Sequence, residues 1–220
     1  MKSEHVSNNF YKNLGVKGLA KQVSPERNRD IEFIQKFCKK SDKILDLACG
    51  YGRVTLPMAK AGFDITGIDL APNLIKQARL QAKKQKLTID FDVGSMINLP
   101  YPEKSFDKVI CLWSSFNHLL TQKDQINTLN EISRILKPKG IAFIEMLNGK
   151  SEKMKPKIGK GIGEDGRIWK EKFNGITAKR YLHDRKSLLN ICKKTAFKKY
   201  KITIKNMLKR KRPILYLYKQ

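Results

Sequence analysis

The sequence predicts an α/β fold in which a doubly wound, mostly parallel sheet is covered by helices on both faces. Between residues 43 and 147, short apolar runs alternate strictly with amphipathic stretches, which is typical of right-handed strand–helix–strand crossovers. The chain has 220 residues, of which 40% are hydrophobic, so a single domain of this length can bury a sizeable core. A mainly disordered chain is therefore excluded.

The elements of this fold follow in order from the apolar periodicity. Two N-terminal helices are expected at 8–21 and 25–40, the second capped by Ser24 with Pro25 at its first position. Five strands are then predicted at Lys43–Ala48, Asp64–Ile68, Thr88–Val93, Phe106–Trp113 and Ile141–Leu147. Three helices lie between them, at Val54–Ala61, Asn73–Lys84 and Lys123–Leu136.

After residue 148 the alternation stops. A Lys- and Gly-rich loop leads into two strand-like runs, Arg167–Phe173 and Ile176–Leu182, joined by an Asn-Gly pair that favours a tight hairpin. A helix at 184–197 and two strands, Lys199–Lys205 and Pro213–Tyr218, complete the chain. We expect one domain over 1–220, with N-terminal helices (1–40), a ligand-binding core (41–147), a loop and hairpin lid (148–183), and a C-terminal helix and strand pair (184–220).

The charge is strongly positive and uneven. The chain has 46 Lys and Arg against 20 Asp and Glu, a net charge of +26, and residues 149–220 alone hold 23 basic and 5 acidic side chains. Such a field concentrates anions, so RNA, an anionic metabolite or an acidic protein are admissible partners. Scattered lysines on a solvated face are the alternative interpretation.

Cysteine spacing and hydropathy indicate the compartment. The four cysteines form no CxxC pair, so neither a disulfide framework nor a metal site is expected. No apolar run approaches the ~20 residues that cross a bilayer, and Met1–His5 leads into no apolar signal core. We therefore expect a cytoplasmic protein without membrane attachment, as a monomer or homodimer.

The chemistry-bearing segment is Ile44–Arg53, a buried strand that runs into a tight turn containing Gly50 and Gly52. Glycine allows positive φ angles and lets a ligand approach the main chain closely. Asp69 follows the next strand, 17 residues beyond Gly52, where an acid can accept hydrogen bonds from ribose hydroxyls. The pattern predicts a nucleoside-containing ligand, although Thr55 stands where a GxGxxG dinucleotide motif needs its third glycine.

Four segments carry a resemblance to a known family: LDLACGYG, GIDLAP, VGSMINLPYPEKSFDKVICLWSSFNHL and EISRILKPKGIAFIE, in unbroken order within residues 41–147. Together they resemble the class I S-adenosylmethionine-dependent methyltransferases. The resemblance implies a seven-stranded, Rossmann-like sheet whose last strand, here Pro213–Tyr218, is antiparallel. It also implies S-adenosyl-L-methionine as cofactor, and methyl transfer to O or N of an acceptor by direct displacement.

The resemblance also implies a set of cofactor contacts. Asp46 and the turn would hold the methionine end, Asp69 the ribose, and Ser95 would stand where the family commonly has an Asp for the adenine amino group, with Asp92 as the nearby alternative. Arg53 would either pair with the cofactor carboxylate or face solvent. The full expected set is Asp46, Ala48, Cys49, Gly50, Gly52, Asp69, Leu70, Ser95, Met96, Ile97 and Leu112.

The segment after the fourth strand, residues 112–118, is expected to line the acceptor pocket. It lacks the Asn/Asp-Pro-Pro-aromatic and Pro-Cys signatures of nucleic-acid base methyltransferases, which favours a small soluble acceptor. His118 is the candidate general base, with a packing role as the alternative. The expected acceptor contacts are Tyr11, Trp113, Ser114, Asn117, Trp169 and Tyr181.

Two other functions remain open. An RNA methyltransferase would use the basic C-terminal third, including Lys209–Arg212, to follow the phosphate backbone. A cofactor-binding module without turnover would explain Ser95 and the lack of an obvious catalytic acid.

Overall fold

The computed structural model of the chain describes residues 3–20, 28–147, 167–173, 176–207 and 210–220. Helix α1 spans Ser3–Ala20 and bends at Gly15, whose φ of 60° and ψ of −178° are not helical. Helix α2 spans Asn28–Phe37. The expected Ser24-Pro25 cap, the loop at 149–166 and the Asn174-Gly175 turn lie outside the described residues.

Seven strands form one sheet in the order β3-β2-β1-β4-β5-β9-β8. Strands β1 to β5 are mutually parallel, and β9 runs antiparallel to both β5 and β8. This confirms the predicted doubly wound sheet with an antiparallel last strand. The strands are β1 (Lys43–Leu47), β2 (Asp64–Asp69), β3 (Phe91–Val93), β4 (Phe106–Cys111), β5 (Leu136–Glu145), β8 (Lys199–Met207) and β9 (Arg210–Tyr218).

The remaining elements connect or cover this sheet. Strands β6 (Ile168–Phe173) and β7 (Ile176–Tyr181) form a separate antiparallel hairpin, as the sequence predicted. The helices that follow the strands are α3 (Thr55–Lys60), α4 (Pro72–Lys84), α5 (Gln122–Ile135) and α6 (Arg185–Cys192), with a short 3₁₀ turn at Ser115–His118. None of the described helices has the length and apolarity required to traverse a lipid bilayer.

The sheet buries both of its faces because its strands are apolar at consecutive positions. On one face, Leu45 and Val109 pack with α5 and α6 through residues such as Leu129 and Leu188. On the other face, Ile44, Ile110 and Phe143 pack with Ile34 of α2 and Met58 of α3. Helices on both sides therefore hold the parallel strands in one rigid layer.

The strand ends define where a ligand can bind. The carboxyl ends of the parallel strands β1, β2 and β4 meet at one edge of the sheet, as in other doubly wound folds. Helix α1 and the β6–β7 hairpin pack over this edge, where Phe10 and Leu14 share a cluster with Leu74 and Ala178. The edge is thus covered by two elements that are far apart in sequence.

Helix α5 offers a local stability test. Thr121 is exposed, and its Oγ1 accepts a hydrogen bond from the backbone N–H of Asp124 at 3.1 Å, capping the helix. We expect Thr121→Ala to lower the free energy of unfolding by about 1 kcal/mol, because that N–H loses its partner. Thr121→Ser keeps the hydroxyl and serves as control in urea unfolding. Equal losses in both variants would contradict the capping role.

Candidate active site

The loop after β1 combines three left-handed residues. Ala48, Gly50 and Gly52 have φ angles of 61°, 59° and 83°. A Cβ added to Gly50 would meet no described heavy atom within 4 Å, whereas one added to Gly52 would lie 3.1 Å from Leu56 Cγ and 3.2 Å from Phe91 Cζ. Gly50 therefore opens onto free space, while Gly52 makes the turn against the core and does not itself line the cavity described below.

Asp69, the last residue of β2, is joined to this turn. One carboxylate oxygen accepts from the Gly50 N–H at 2.8 Å, and the other accepts from the Ala71 N–H at 2.9 Å. Burial raises the pKa of Asp69, and hydrogen bonds from the backbone of Ala71, Gly50 and Leu70 oppose that shift. The turn and the acid thus lie side by side, so together they would contact adjacent parts of a single ligand.

A second carboxylate, Asp46 of β1, borders the same space. It is only 3% exposed, and it accepts a hydrogen bond from Thr55 Oγ1 at 2.7 Å. Two buried carboxylates at the strand ends can attract a cationic group and accept hydrogen bonds from hydroxyls. The site is therefore suited to a ligand that is cationic or rich in hydroxyls at this end.

These groups line one cavity, with about 1170 Å³ of empty space including the solvent at its mouth. The sequence-predicted residues that the structure brings together here are Tyr11, Asp46, Ala48, Cys49, Gly50, Asp69, Leu70, Ser95, Met96, Ile97, Leu112, Trp113 and His118. Among the described residues, no cluster of His, Cys, Asp and Glu is arranged to hold a metal ion.

Besides Gly52, four expected residues in the described part of the chain lie outside the cavity lining: Ser114, Asn117, Trp169 and Tyr181. Asn117 is fully buried, donating to the Tyr181 carbonyl at 2.7 Å and accepting from the Leu147 N–H at 3.0 Å. Tyr181 is buried with its ring 4.8 Å from that of His183. Asn117 and Tyr181 therefore join the hairpin to the sheet, and neither side chain reaches the cavity.

The hairpin instead presents Arg180 to the cavity, a residue that the sequence reasoning missed. Successive side chains of a strand point to opposite faces, so Arg180 faces away from its neighbour Tyr181 and shares a face with Ala178. Trp169 pairs with Arg180 across the hairpin. The packing of Ala178 with apolar residues of α1 shows that this face of the hairpin points inward. That packing can be seen only in the folded structure.

The loop after β3 forms the far side of the cavity. Ser95 lines it, and its Oγ accepts from the Ile97 N–H at 3.0 Å. The alternative acid, Asp92, accepts a hydrogen bond from the Tyr101 hydroxyl at 2.8 Å and lies outside the lining. Ser95 rather than Asp92 is therefore the polar side chain that this loop offers.

His118 and Tyr11 form a pair at the covered end of the cavity. The Tyr11 hydroxyl lies 3.0 Å from His118 Nε2. Burial, reinforced by the positive charge of Arg180, lowers the pKa of His118 from its ordinary 6.5 to about 3. Burial also raises the pKa of Tyr11. Both groups are neutral near neutral pH, so His118 is a weak base in this state and a good hydrogen-bonding group.

A buried ion pair shapes the loop after β4. Glu145 is 2% exposed and lies 3.2 Å from Arg212, and it also accepts from the Trp113 N–H at 2.6 Å. Arg212 donates to Ser114 Oγ at 2.7 Å. These bonds hold Trp113 and Ser114 in consecutive left-handed conformations, with φ of 57° and 61°. Arg212, expected in the basic stretch Lys209–Arg212 that an RNA methyltransferase would use, is thus a residue of β9 that points inward.

This loop places the Trp113 ring at the cavity wall. The guanidinium of Arg53 lies 4.3 Å from the centre of that ring, a distance typical of a cation–π contact. Trp113 and Arg53 both line the cavity. Arg53 is therefore a wall residue beside the glycine turn.

The fold defines a class of protein: a Rossmann-like sheet with a cavity at the carboxyl edge of its parallel strands. The model of the family described as "Methyltransferase domain" matches residues 44–140. YqeM of Bacillus subtilis, which is named as a methyltransferase, is 31% identical over 117 residues, covering 52% of this chain and 46% of that protein. A ubiquinone biosynthesis O-methyltransferase of Xanthomonas campestris pv. campestris is 35% identical over 107 residues, covering 48% and 43%.

Solved structures show the same fold over more of the chain. A SAM-dependent methyltransferase of Methanosarcina mazei superposes with a TM-score of 0.72 at 19% identity, covering 90% of this chain and 98% of that one. The chain spans less than half the length of the two curated relatives named above. Residues 44–140 are thus similar to the methyltransferase-domain family, and the chain shares its overall fold with a SAM-dependent methyltransferase of known structure.

The Glu145–Arg212 pair predicts a large effect on stability. We expect Arg212→Met to lower the free energy of unfolding by about 3–5 kcal/mol, because it leaves the buried Glu145 carboxylate without its cation. Lys201→Met, an exposed change on the neighbouring strand β8, is the control and should have little effect in urea unfolding. The double variant Glu145→Gln/Arg212→Met should lose less free energy of unfolding than Arg212→Met alone. Equal stability of Arg212→Met and the control would contradict the role of this pair.

The low pKa of His118 predicts the direction of a pH effect. Between about 6.5 and about 3 the unfolded chain binds a proton on this side chain that the folded chain does not. The stability that comes from keeping His118 neutral is therefore fully present above about pH 6.5, and it is lost as the pH falls towards the pKa of the folded state, about 3. We expect His118→Gln to flatten the decline of unfolding free energy between about pH 7 and about pH 4, measured by urea unfolding. Parallel profiles for the two proteins would show that His118 is not held neutral.

Proposed function

We propose that this chain is an S-adenosylmethionine-dependent methyltransferase that acts on O or N of a small acceptor. The observation that carries the proposal is the direct hydrogen bond between the Gly50 N–H and Asp69 inside one cavity. The methyltransferase-domain match over residues 44–140 supports the same activity.

The residues present suit this cofactor. Asp46 and Asp69 are buried carboxylates that would face a sulfonium cation and ribose hydroxyls, and the open space beside Gly50 admits a ligand against the main chain. Ser95, Met96 and Ile97 would hold the adenine. The Ser95 hydroxyl stands where the family commonly has an Asp, so we expect adenine to be anchored by neutral hydrogen bonds.

When bound, the cofactor supplies an activated methyl group, and the protein has to align the acceptor with it and exclude water. Alignment of this kind contributes up to ~7–11 kcal/mol in favourable cases. Helix α1 and the β6–β7 hairpin cover the cavity, and Phe10, Tyr11 and Trp113 contribute aromatic walls. Little covalent assistance from the protein is needed for such a displacement.

The Tyr11–His118 pair limits how the acceptor loses its proton. Because burial holds the pKa of His118 at about 3, this imidazole takes up a proton poorly in the acceptor-free protein. A free amine, or a hydroxyl that is already ionised, needs no base before it attacks. Tyr11 and His118 would then orient the acceptor through hydrogen bonds.

The covered cavity favours a small acceptor over RNA. Helix α1 and the hairpin pack over the edge of the sheet where the cavity lies, and Arg212 of the expected RNA-binding stretch is paired inward with Glu145. The Xanthomonas relative is named as an O-methyltransferase of ubiquinone biosynthesis. The net charge of +26 is the observation that still supports the RNA alternative.

Cofactor binding tests the proposal directly. We expect Asp69→Asn to weaken S-adenosylmethionine and S-adenosylhomocysteine binding by about 10- to 100-fold, because a charge-assisted acceptor is lost from the site. Asp92→Asn, whose carboxylate is bonded to Tyr101 outside the cavity, is the matched control in calorimetry and should bind as the wild type does. Thermal melts of both variants identify any loss of folding.

Two results would contradict the proposal. Unchanged affinity in Asp69→Asn would remove the acid from the cofactor site. Binding of S-adenosylhomocysteine without its production from S-adenosylmethionine, across amine and hydroxyl acceptors, would favour the cofactor-binding module.

A further inference from the structure

Arg180 is a cation whose position is determined by packing. Strand β7 places Ala178 against Phe10 and Leu14 of α1, and the alternation of side chains directs Arg180 to the same side. There it lines the cavity, with Tyr11 and His118 among the other lining residues. Its two sequence neighbours on β7, Lys179 and Tyr181, face the opposite side of the hairpin.

Contacts between elements place Arg180 at the covered end of the cavity. Strand β7, which carries Arg180, packs against helix α1 and against the 3₁₀ turn at Ser115–His118, and α1 also contacts that turn. The Tyr11 hydroxyl of α1 and Nε2 of His118 lie 3.0 Å apart. Arg180, Tyr11 and His118 therefore line the same end of the cavity, and the positive charge of Arg180 contributes to lowering the pKa of His118.

The other charged groups of the described lining are at the glycine turn. Asp46 is bonded to Thr55 and Asp69 to Gly50 and Ala71, while the second guanidinium, that of Arg53, stacks over Trp113. Among the lining residues that the structure describes, the covered end combines the guanidinium of Arg180 with two neutral hydrogen-bonding groups, Tyr11 and His118. This combination matches an anionic oxygen group.

We infer that the acceptor carries a carboxylate or phosphate group which Arg180 binds at the covered end of the cavity, beside Tyr11 and His118. This inference rests on the proposed methyltransferase function and adds the chemical class of its substrate. A guanidinium binds such groups through two parallel N–H···O bonds, which would also fix the acceptor's orientation. The net charge of +26 would further raise the local concentration of an anionic substrate.

The alternative is that Arg180 binds the carboxylate of the cofactor itself. Arg53 is the better candidate for that carboxylate, because it follows the glycine turn directly and shares the wall with Trp113. The two possibilities differ in measurable ways. If Arg180 binds the acceptor, its removal spares cofactor affinity, and if it binds the cofactor, its removal weakens that affinity.

The experiment titrates small probes into protein saturated with S-adenosylhomocysteine. Benzoate and phenyl phosphate are the anionic probes, and benzamide is the neutral probe of similar shape. We expect the wild type to bind at least one anion at least tenfold more tightly than benzamide, and Arg180→Met to weaken that anion by about 10- to 100-fold. The relative affinities of benzoate and phenyl phosphate distinguish a carboxylate from a phosphate substrate.

Matched variants separate the site from the fold and from general electrostatics. Lys179→Met removes one positive charge from the opposite face of the same strand and should leave anion binding within about twofold. Arg180→Lys keeps the charge without the fork and should bind the anion with intermediate affinity. Arg180→Met should bind S-adenosylhomocysteine with wild-type affinity, which also shows that it is folded.

Three outcomes would overturn the inference. The wild type could bind benzamide as tightly as the anions, or it could bind neither anion. Lys179→Met and Arg180→Met could also weaken anion binding equally. Weaker S-adenosylhomocysteine binding by folded Arg180→Met would assign Arg180 to the cofactor instead. Failure of the wild type to bind S-adenosylhomocysteine at all is a separate result, because it refutes the proposed function on which the inference rests.

Discussion

The hydrogen bond from the Gly50 N–H to the Asp69 carboxylate is the contact on which the site depends. It is possible because β1 and β2 are adjacent parallel strands in which Leu47 pairs with Ile68, so the chain leaves both strands at the same level. The Cys49 N–H continues this contact by donating to the Ile68 carbonyl at 3.0 Å. The left-handed turn and the acid are thereby built as one unit, and the buried carboxylate keeps partners for both of its oxygens.

A second constraint operates on the wall formed by the loop after β4, where the buried Glu145–Arg212 ion pair stabilises a strained backbone. Trp113 and Ser114 adopt consecutive left-handed conformations that cost of order 1–3 kcal/mol each, and Glu145 and Arg212 supply the bonds that retain them. Helix α1 and the hairpin then close the space between the two walls. The result is a cavity with two carboxylates and Arg53 near the glycine turn and the guanidinium of Arg180 at the covered end, an arrangement that suits a cofactor with a cationic centre and an anionic acceptor.

Much of the fold could be predicted because its signals are local. The alternation of apolar runs and amphipathic stretches indicates parallel strands with helical crossovers, and the glycine turn followed by Asp69 indicates the ligand edge. The inward side chains of the β6–β7 hairpin could not be assigned in the same way. Tyr181 was expected at the acceptor and Arg180 was not considered, since a two-residue period shows that neighbours point apart but not which of them points inward.

The sequence by itself determined which segments form strands and helices, where the glycine turn lies and which acid follows the second strand. These features depend on nearby residues, because backbone conformation and strand ends are set locally. The tertiary structure alone decided the partners across the chain. Glu145 meets Arg212, Tyr11 meets His118, and Asn117 meets the backbone of Tyr181 because sheet order and helix packing bring them together. Their charge states follow from burial, a property of the packed molecule that no short segment carries.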